Sequence, residues 1–163
     1  MKIYGVTGWK NAGKTGLMER LVSEITGRGF SVSTLKHAHH VFDVDHPGKD
    51  SFRHRQAGAS EVLVVSRVRW ALMAELREAE EPPLGELLIK LAPVDLVLIE
   101  GYKRETHPKI EAWRAETGNP LIAPGDPLIK AVAADSPVEI DRPVFDLNDT
   151  GAIADFILGE VGL

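Results

Sequence analysis

The sequence contains no cysteine, no long apolar run and no excess of positive charge. Without a thiol, disulfides, thiolate metal sites and cysteine nucleophiles are excluded. No apolar segment approaches the ~20 residues that span a bilayer. No secretory signal pattern opens the sequence, so we expect a cytoplasmic protein without a membrane segment. The net charge of −5 argues against a general nucleic-acid binder, which requires a basic field.

The remaining composition is that of an ordinary globular protein. The 163 residues, of which 44% are hydrophobic, predict a single domain over residues 1–163. A strand, a helix and a second strand within about the first 35 residues predict a βαβ unit with parallel strands. Two apolar runs separated by a short polar stretch predict a β-hairpin inserted at about 61–75. Later apolar runs predict further strands of a mainly parallel sheet.

The most specific motif is a G-x-x-x-x-G-K-[ST] phosphate loop between the first predicted strand and the first predicted helix. Backbone N–H groups of such a loop cradle phosphates, and the following helix adds the positive end of its dipole. Lys14 would reach the terminal phosphates, and Thr15 would bind a magnesium ion. This predicts an α/β, three-layer P-loop NTPase-like domain. Its predicted nucleotide-binding residues are Gly8, Asn11, Ala12, Gly13, Lys14, Thr15 and Gly16.

A buried strand that ends in an acid supplies the second part of such a site. The apolar run at 94–99 is followed directly by Glu100. Its position at the carboxyl end of a strand favours magnesium binding together with Thr15, over the alternative of a surface acid. Asp95 stands at the opposite end of the same strand, where we expect a solvated cap.

A long polar loop follows the second predicted strand. P-loop proteins place a γ-phosphate-sensing segment here, so Asp43 and Asp45 are candidates for an acid near the magnesium ion or the attacking water. The close spacing of His37, His39 and His40 also allows a zinc or nickel site. A solvated loop without chemistry is the third alternative.

Two basic clusters stand out in an acidic sequence. The first contains Lys49, Arg53, His54 and Arg55, in or before a short predicted helix, and the second contains Lys103, Arg104 and Lys109, after the strand that ends in Glu100. Either cluster could bind a phosphate group or an acidic partner. For the first cluster the alternative is that its side chains form a solvated helix face.

The base of the nucleotide is poorly specified. The Asn-Lys-x-Asp motif that reads guanine in many GTPases is missing from the sequence. Asp135, which ends a late predicted strand, is the better candidate for a base contact. The residues themselves do not distinguish guanine from adenine.

Several segments in order resemble the MobB family of molybdopterin-guanine dinucleotide biosynthesis adaptor proteins. These segments span the chain from the first strand to about residue 111. They are the phosphate loop, Lys36–His40, Asp45–Ser51, Arg53–Ala59, Leu98–Lys103 and Pro108–Glu111.

The resemblance implies a GTP-binding accessory protein with weak GTPase activity and Mg²⁺ as its metal ion. Its partner would be a MobA-type guanylyltransferase, which attaches GMP to molybdopterin, and molybdopterin itself is an additional candidate ligand. The resemblance also implies a homodimer with subunit contact through the hairpin. Gly13, Lys14 and Thr15 would serve the phosphates and magnesium, and Glu100 takes the acidic Walker B place.

Two other functions stay open at this point. A small-molecule kinase would use Asp43 or Asp45 as a base and Arg53 and Arg55 in a lid. A nickel metallochaperone-type GTPase would use the three histidines of the polar loop. The signature lysine of dimeric partition ATPases would lie five residues before Lys14, where this sequence has Trp9, so that route to dimer-activated hydrolysis is not indicated.

Overall fold

The computed structural model describes residues 1–38 and 42–163. The chain divides into two compact units, which we describe separately. The larger unit contains Met1–Ala38 and Ala92–Leu163, and the smaller one contains His39–Leu91. The prediction of a single domain over residues 1–163 stays a prediction. Within the described residues, no helix is long and apolar enough to cross a membrane.

A six-stranded sheet forms the centre of the larger unit. Its strands lie in the order β2-β5-β1-β6-β7-β8, and every neighbouring pair is parallel. All six carboxyl ends therefore meet at one edge of the sheet, where nucleotides bind in α/β proteins. The six strands are β1 (Lys2–Thr7), β2 (Val32–Lys36), β5 (Leu96–Glu100), β6 (Lys109–Trp113), β7 (Ile129–Ala134) and β8 (Val144–Asp146).

Helices α1 (Lys14–Gly27) and α4 (Thr150–Val161) cover one face of this sheet. Leu21 and Ile25 are spaced one helical turn apart, and both are fully buried in the main core with Ile157 of α4. The amino end of α4 is capped by Asp149, whose Oδ1 accepts the Ala152 N–H at 3.1 Å. A smaller apolar cluster packs around β7. The core thus fixes α1, and with it the loop that precedes α1.

The smaller unit contains the predicted hairpin. Strands β3 (Glu61–Val65) and β4 (Trp70–Ala74) pair antiparallel, so the inserted hairpin is confirmed. Its turn lacks an Asn-Gly pair, and the Ser66 hydroxyl instead accepts the N–H groups of Val68 and Arg69. Helices α2 (Asp50–Gln56) and α3 (Leu84–Ile89) flank the hairpin in sequence.

The fold class is confirmed: a mainly parallel sheet with helices and an inserted hairpin. The observed elements differ from the predicted ones mainly at their ends. The fifth strand begins at Leu96 rather than at 94 and includes Glu100. Asp95 is more than a solvated cap, because its Oδ2 accepts both the N–H and the hydroxyl of Ser31 at 2.7 and 2.6 Å. This contact joins the start of β5 to the start of β2.

Candidate functional site

The phosphate loop lies between β1 and α1, at the carboxyl edge of the sheet. Three of its residues have positive φ: Gly8 at 140°, Asn11 at 65° and Gly13 at 92°. A Cβ atom on Gly8 would overlap the carbonyl oxygen of Ala112. Only glycine therefore fits at Gly8, and the loop can turn tightly enough to aim its N–H groups inward.

The Lys14 ammonium donates to the loop's own carbonyl at Trp9, with an N–O distance of 2.6 Å. The pKa of Lys14 is lowered, mainly by burial. The Glu100 carboxylate raises it in part, whereas the ammonium groups of Lys103 and Lys36 lower it further. Two further lysines and one carboxylate therefore lie close enough to act on the Lys14 ammonium. Such an excess of positive charge suits a polyanion.

Thr15 and Glu100 meet as a shared magnesium site requires. The Thr15 hydroxyl donates to Glu100 Oε1 at 3.2 Å, and Glu100 is only 8% exposed. Lys36 lies opposite Glu100 in the β2–β5 register, and its Nζ is 3.3 Å from the same oxygen. Oxygen ligands of this kind suit Mg²⁺. Magnesium binding by Thr15 and Glu100 stays a prediction, and Lys36 is a neighbour that the sequence reasoning did not single out.

Asp135 lies where β7 ends, beside a cavity of about 260 Å³. Its Oδ1 accepts the Ala115 N–H and the Ser136 hydroxyl, both at 3.0 Å. The Ala115 N–H is the largest of the influences that lower the pKa of Asp135. Asp146, at the end of β8, lines the same cavity. The cavity is lined by Ala134, Asp135, Ser136, Pro137, Val144, Phe145 and Asp146.

Gly13 connects the phosphate loop to this cavity. A Cβ placed on Gly13 would lie 3.1 Å from Nε of Arg114 and 3.2 Å from a methyl group of Leu147. Arg114 directly precedes Ala115, which binds Asp135, and Leu147 directly follows Asp146. The phosphate loop and the cavity are therefore adjacent parts of one edge. Arg114 carries no sequence signal of its own, because its place depends on the strand order.

In the smaller unit, Arg55 binds three carboxylates. Its guanidinium lies 2.9 Å from Asp43, 3.3 Å from Asp45 and 2.7 Å from Glu75. Hydrogen bonds from Arg55 are the main reason why the pKa of Asp43 is lowered. Asp45 also accepts the Ser51 hydroxyl at 2.9 Å. This network binds the polar loop to β4 and α2, and the predicted catalytic role of Asp45 and anion role of Arg55 stay predictions.

The other predicted basic residues of this unit are exposed. Lys49 precedes α2, and Arg53 lines an open cavity of about 570 Å³ with His54. The predicted histidine metal site cannot be traced, since His39 and His40 lie outside the described residues. Among the residues that the structure describes, no group of three metal-ligating side chains occurs.

A family comparison identifies the group to which this site belongs. The family model for "Molybdopterin guanine dinucleotide synthesis protein B", MobB, matches residues 3–135. The chain belongs to the MobB family. The matched range includes the phosphate loop, Glu100, the hairpin and Asp135.

Curated relatives and solved structures agree with this membership. The molybdopterin-guanine dinucleotide biosynthesis adapter protein of Haemophilus influenzae is 41% identical over 155 residues, which cover 95% of this chain and 86% of the relative. The adapter protein of Escherichia coli is 40% identical over 159 residues, or 96% and 91% of the two chains. The crystal structure of a MobB homolog from Bacillus stearothermophilus is 31% identical, covers 99% of both chains and has a TM-score of 0.73.

This MobB-family chain also buries three titratable side chains at or near β6. His107 is 4% exposed, and Lys109 and Glu111 are fully buried. His107 packs against Gly5 so closely that a Cβ on Gly5 would overlap its ring. The sequence pattern predicted a short strand here but not the burial of its charges.

The burial of His107 predicts a pH-dependent stability. Burial, aided by the Lys109 ammonium and opposed by Asp126, lowers the pKa of His107 from 6.5 to about 4. The unfolded chain therefore binds this proton more readily, so the free energy of unfolding falls as the pH drops from about 6.5 to about 4, by up to about 3 kcal/mol. His107→Leu should flatten this part of the profile, measured by urea unfolding across that range.

The matched control is His54→Leu, because His54 is an exposed histidine of α2. We expect it to keep the pH dependence of the unmodified protein. An unchanged slope in His107→Leu would contradict the assignment of this dependence to His107.

Proposed function

We propose that this chain is a cytoplasmic GTP-binding accessory protein of molybdenum cofactor maturation. It would assist the MobA-type nucleotidyltransferase that attaches GMP to molybdopterin to form molybdopterin-guanine dinucleotide. Membership in the MobB family and the names of the relatives support this role. The single observation that carries nucleotide binding is the hydrogen bond between Thr15 and Glu100 beside the phosphate loop.

GTP and Mg²⁺ fit the charges of the site. In this proposal the triphosphate displaces the Trp9 carbonyl from the Lys14 ammonium, because a charged phosphate oxygen is the stronger acceptor. Thr15 and, directly or through water, Glu100 would hold Mg²⁺, which would neutralise part of the charge of the triphosphate. Lys36 balances the Glu100 carboxylate at 3.3 Å.

Carboxylates at the cavity favour guanine over adenine. The Watson–Crick edge of guanine carries two neighbouring donors, N1–H and the exocyclic amine, whereas adenine presents an acceptor at N1. Among the described contacts, only Oδ1 of Asp135 and Oδ1 of Asp146 are engaged. An ionised carboxylate only accepts hydrogen bonds, so the remaining oxygens match the guanine donors. Asp135 is the base-reading residue of the proposal.

Weak GTPase activity is consistent with the partners of the acids. Glu100 is held by Thr15 and Lys36, and Asp45 is held by Ser51 and Arg55. A carboxylate whose oxygens already accept hydrogen bonds and contact a cation is poorly placed to take a proton from an attacking water. Slow hydrolysis agrees with an accessory protein rather than with a metabolic enzyme.

The hairpin is the proposed subunit contact of a homodimer. Its strands expose several large apolar side chains, and such a patch on a soluble protein marks an interaction surface. These side chains are Leu63, Val64, Val65, Trp70 and Leu72. A second copy of the chain would bury them.

Nucleotide binding is tested by Lys14→Ala. Loss of the ammonium removes its charge-assisted hydrogen bonds to the phosphates, so GTP affinity in the presence of Mg²⁺ should fall at least about tenfold. Isothermal titration calorimetry measures this. The matched control is Lys2→Ala, which loses the same charge at the opposite edge of the sheet and should bind GTP normally. Equal affinities of wild type and Lys14→Ala would refute phosphate binding by this loop.

Base reading is tested by Asp135→Asn. Asparagine keeps Oδ1 for the Ala115 N–H and replaces only Oδ2 by an amide donor. GTP affinity should fall about tenfold and affinity for xanthosine triphosphate should rise, since xanthine carries an oxygen at C2 where guanine has the amine. Asp141→Asn serves as the control, because the exposed Asp141 precedes β8 at the amino edge. An unchanged preference for GTP in Asp135→Asn would exclude Asp135 as the base reader.

The accessory role is tested with the purified guanylyltransferase. Pull-down with this chain and GTP should retain the enzyme, and formation of molybdopterin-guanine dinucleotide should increase when the chain is added. Lys14→Ala, with its weaker GTP affinity, should give a smaller increase at the same GTP concentration. If wild type binds GTP but neither retains nor stimulates the enzyme, the accessory role is wrong while GTP binding stands.

A further inference from the structure

Two buried charges of opposite sign lie on one face of β6. Lys109 and Glu111 are two residues apart in the strand, so their side chains point to the same side of the sheet. Both are fully buried. Burial of a charge is expensive unless hydrogen bonds compensate it. The hydrogen-bond partners of Lys109 and Glu111 therefore identify the segments that these two side chains hold in place.

The Lys109 ammonium holds the loop that follows β5. It donates to the carbonyl oxygens of Lys103 at 3.2 Å and Glu105 at 2.6 Å. Asp126 Oδ2, at 3.5 Å, balances its charge. The same loop begins with two residues at positive φ, Gly101 at 96° and Tyr102 at 46°. The Lys109 contacts therefore hold the part of the loop that directly follows these two residues.

The loop places the Lys103 ammonium over the indole ring of Trp9, a residue of the phosphate loop. Its Nζ lies 4.1 Å from the centroid of the Trp9 ring, which is a cation–π contact. Trp9 also provides the carbonyl that accepts the Lys14 ammonium. Lys103 is half-buried, and burial lowers its pKa while Glu111 opposes this. The Lys103 ammonium therefore lies beside Trp9, the position at which dimeric partition ATPases have a lysine within the phosphate loop itself.

Glu111 contacts the segment that binds the Trp9 indole N–H. Its carboxylate accepts the N–H groups of Ile122 at 2.9 Å and Ala123 at 2.8 Å. Two residues before Ile122, the Pro120 carbonyl accepts the Trp9 indole N–H at 2.8 Å. The segment at 120–123, which Glu111 binds, therefore orients the indole ring. The Lys103 ammonium on the face of that ring comes from the loop that Lys109 binds.

Strand order indicates which phosphate Lys103 would meet. The proposed base cavity lies at β7 and β8, on one side of β1, whereas β5 lies on the other side. A nucleotide whose base is at Asp135 and whose phosphates follow the loop toward Glu100 ends at the β5 side. The loop with Lys103 starts at that side, directly after Glu100.

We propose that Lys103 is an additional binding residue for the terminal phosphate, and that Lys109 is the positioning residue that holds Lys103 over Trp9. The inference rests on the proposed nucleotide binding and deepens it. Terminal phosphate binding by Lys103 distinguishes GTP from GDP, because only GTP has a phosphate at that end. Lys109 touches no ligand and acts through the 101–105 backbone.

The experiment compares GTP and GDP affinities of variants by calorimetry with Mg²⁺ present. Lys103→Ala should lose about tenfold in GTP affinity and less than about twofold in GDP affinity. Lys103→Arg keeps a cation on the indole face and should preserve the GTP preference. Lys109→Met keeps the length of the side chain without donors and should show the same selective loss. Lys2→Ala is again the control for loss of one positive charge.

The double variant Lys103→Ala/Lys109→Met separates positioning from general destabilisation. If Lys109 acts through Lys103, the double variant binds GTP no more weakly than Lys103→Ala. Additive losses, or equal losses for GTP and GDP, would overturn the inference while GTP binding stands. Should Lys109→Met fail to fold, Lys109→Gln replaces it in the cycle: its shorter, uncharged side chain holds the two carbonyls less well, so a smaller loss with the same GTP selectivity is expected, and no loss would overturn the role of Lys109. Absence of nucleotide binding by the wild type would overturn the proposed function and this inference together.

Discussion

Parallel pairing of β1 with β5 is the constraint on which the candidate site depends. This register brings the end of β5 beside the strand that leads into the phosphate loop, with Val6 opposite Glu100. Thr15, on the first turn of α1, then reaches Glu100 at 3.2 Å. Burial of α1 and α4 against the sheet fixes the helix that carries Thr15. A core made of apolar contacts thereby sets the distance between two polar groups.

Buried charge at β6 is the second feature that organises this edge. Most buried ion pairs contribute little to stability, and removal of one partner is costly. Here Lys109 and Glu111 form hydrogen bonds with backbone groups of two neighbouring loops rather than with each other. Both loops lead to Trp9 of the phosphate loop. The strand therefore supports the geometry of the site with one face, while Ile110 and Ala112 on its other face belong to the main core.

Local patterns in the sequence predicted the elements and, through the phosphate-loop motif, the proximity of Thr15 to Glu100, whereas other non-local contacts were not predicted. The phosphate loop, the strand ending in Glu100 and the hairpin each lie within a few consecutive residues, so their apolar pattern and glycines were sufficient. The contact of Lys103 with Trp9 and that of Arg114 with Gly13 depend on strand order. The sequence indicated only that Lys109 belongs to a basic cluster, and its burial was not predictable because it depends on partners from other segments.

The most direct test is a crystal structure of the chain with Mg²⁺ and a non-hydrolysable GTP analogue. We expect the triphosphate in the loop from Gly8 to Thr15, with the Lys14 ammonium moved from the Trp9 carbonyl to the phosphates. Mg²⁺ should contact the Thr15 hydroxyl and lie beside Glu100, and the guanine edge should meet Asp135. A nucleotide bound elsewhere, with Lys14 still on the Trp9 carbonyl and Thr15 still on Glu100, would contradict the account.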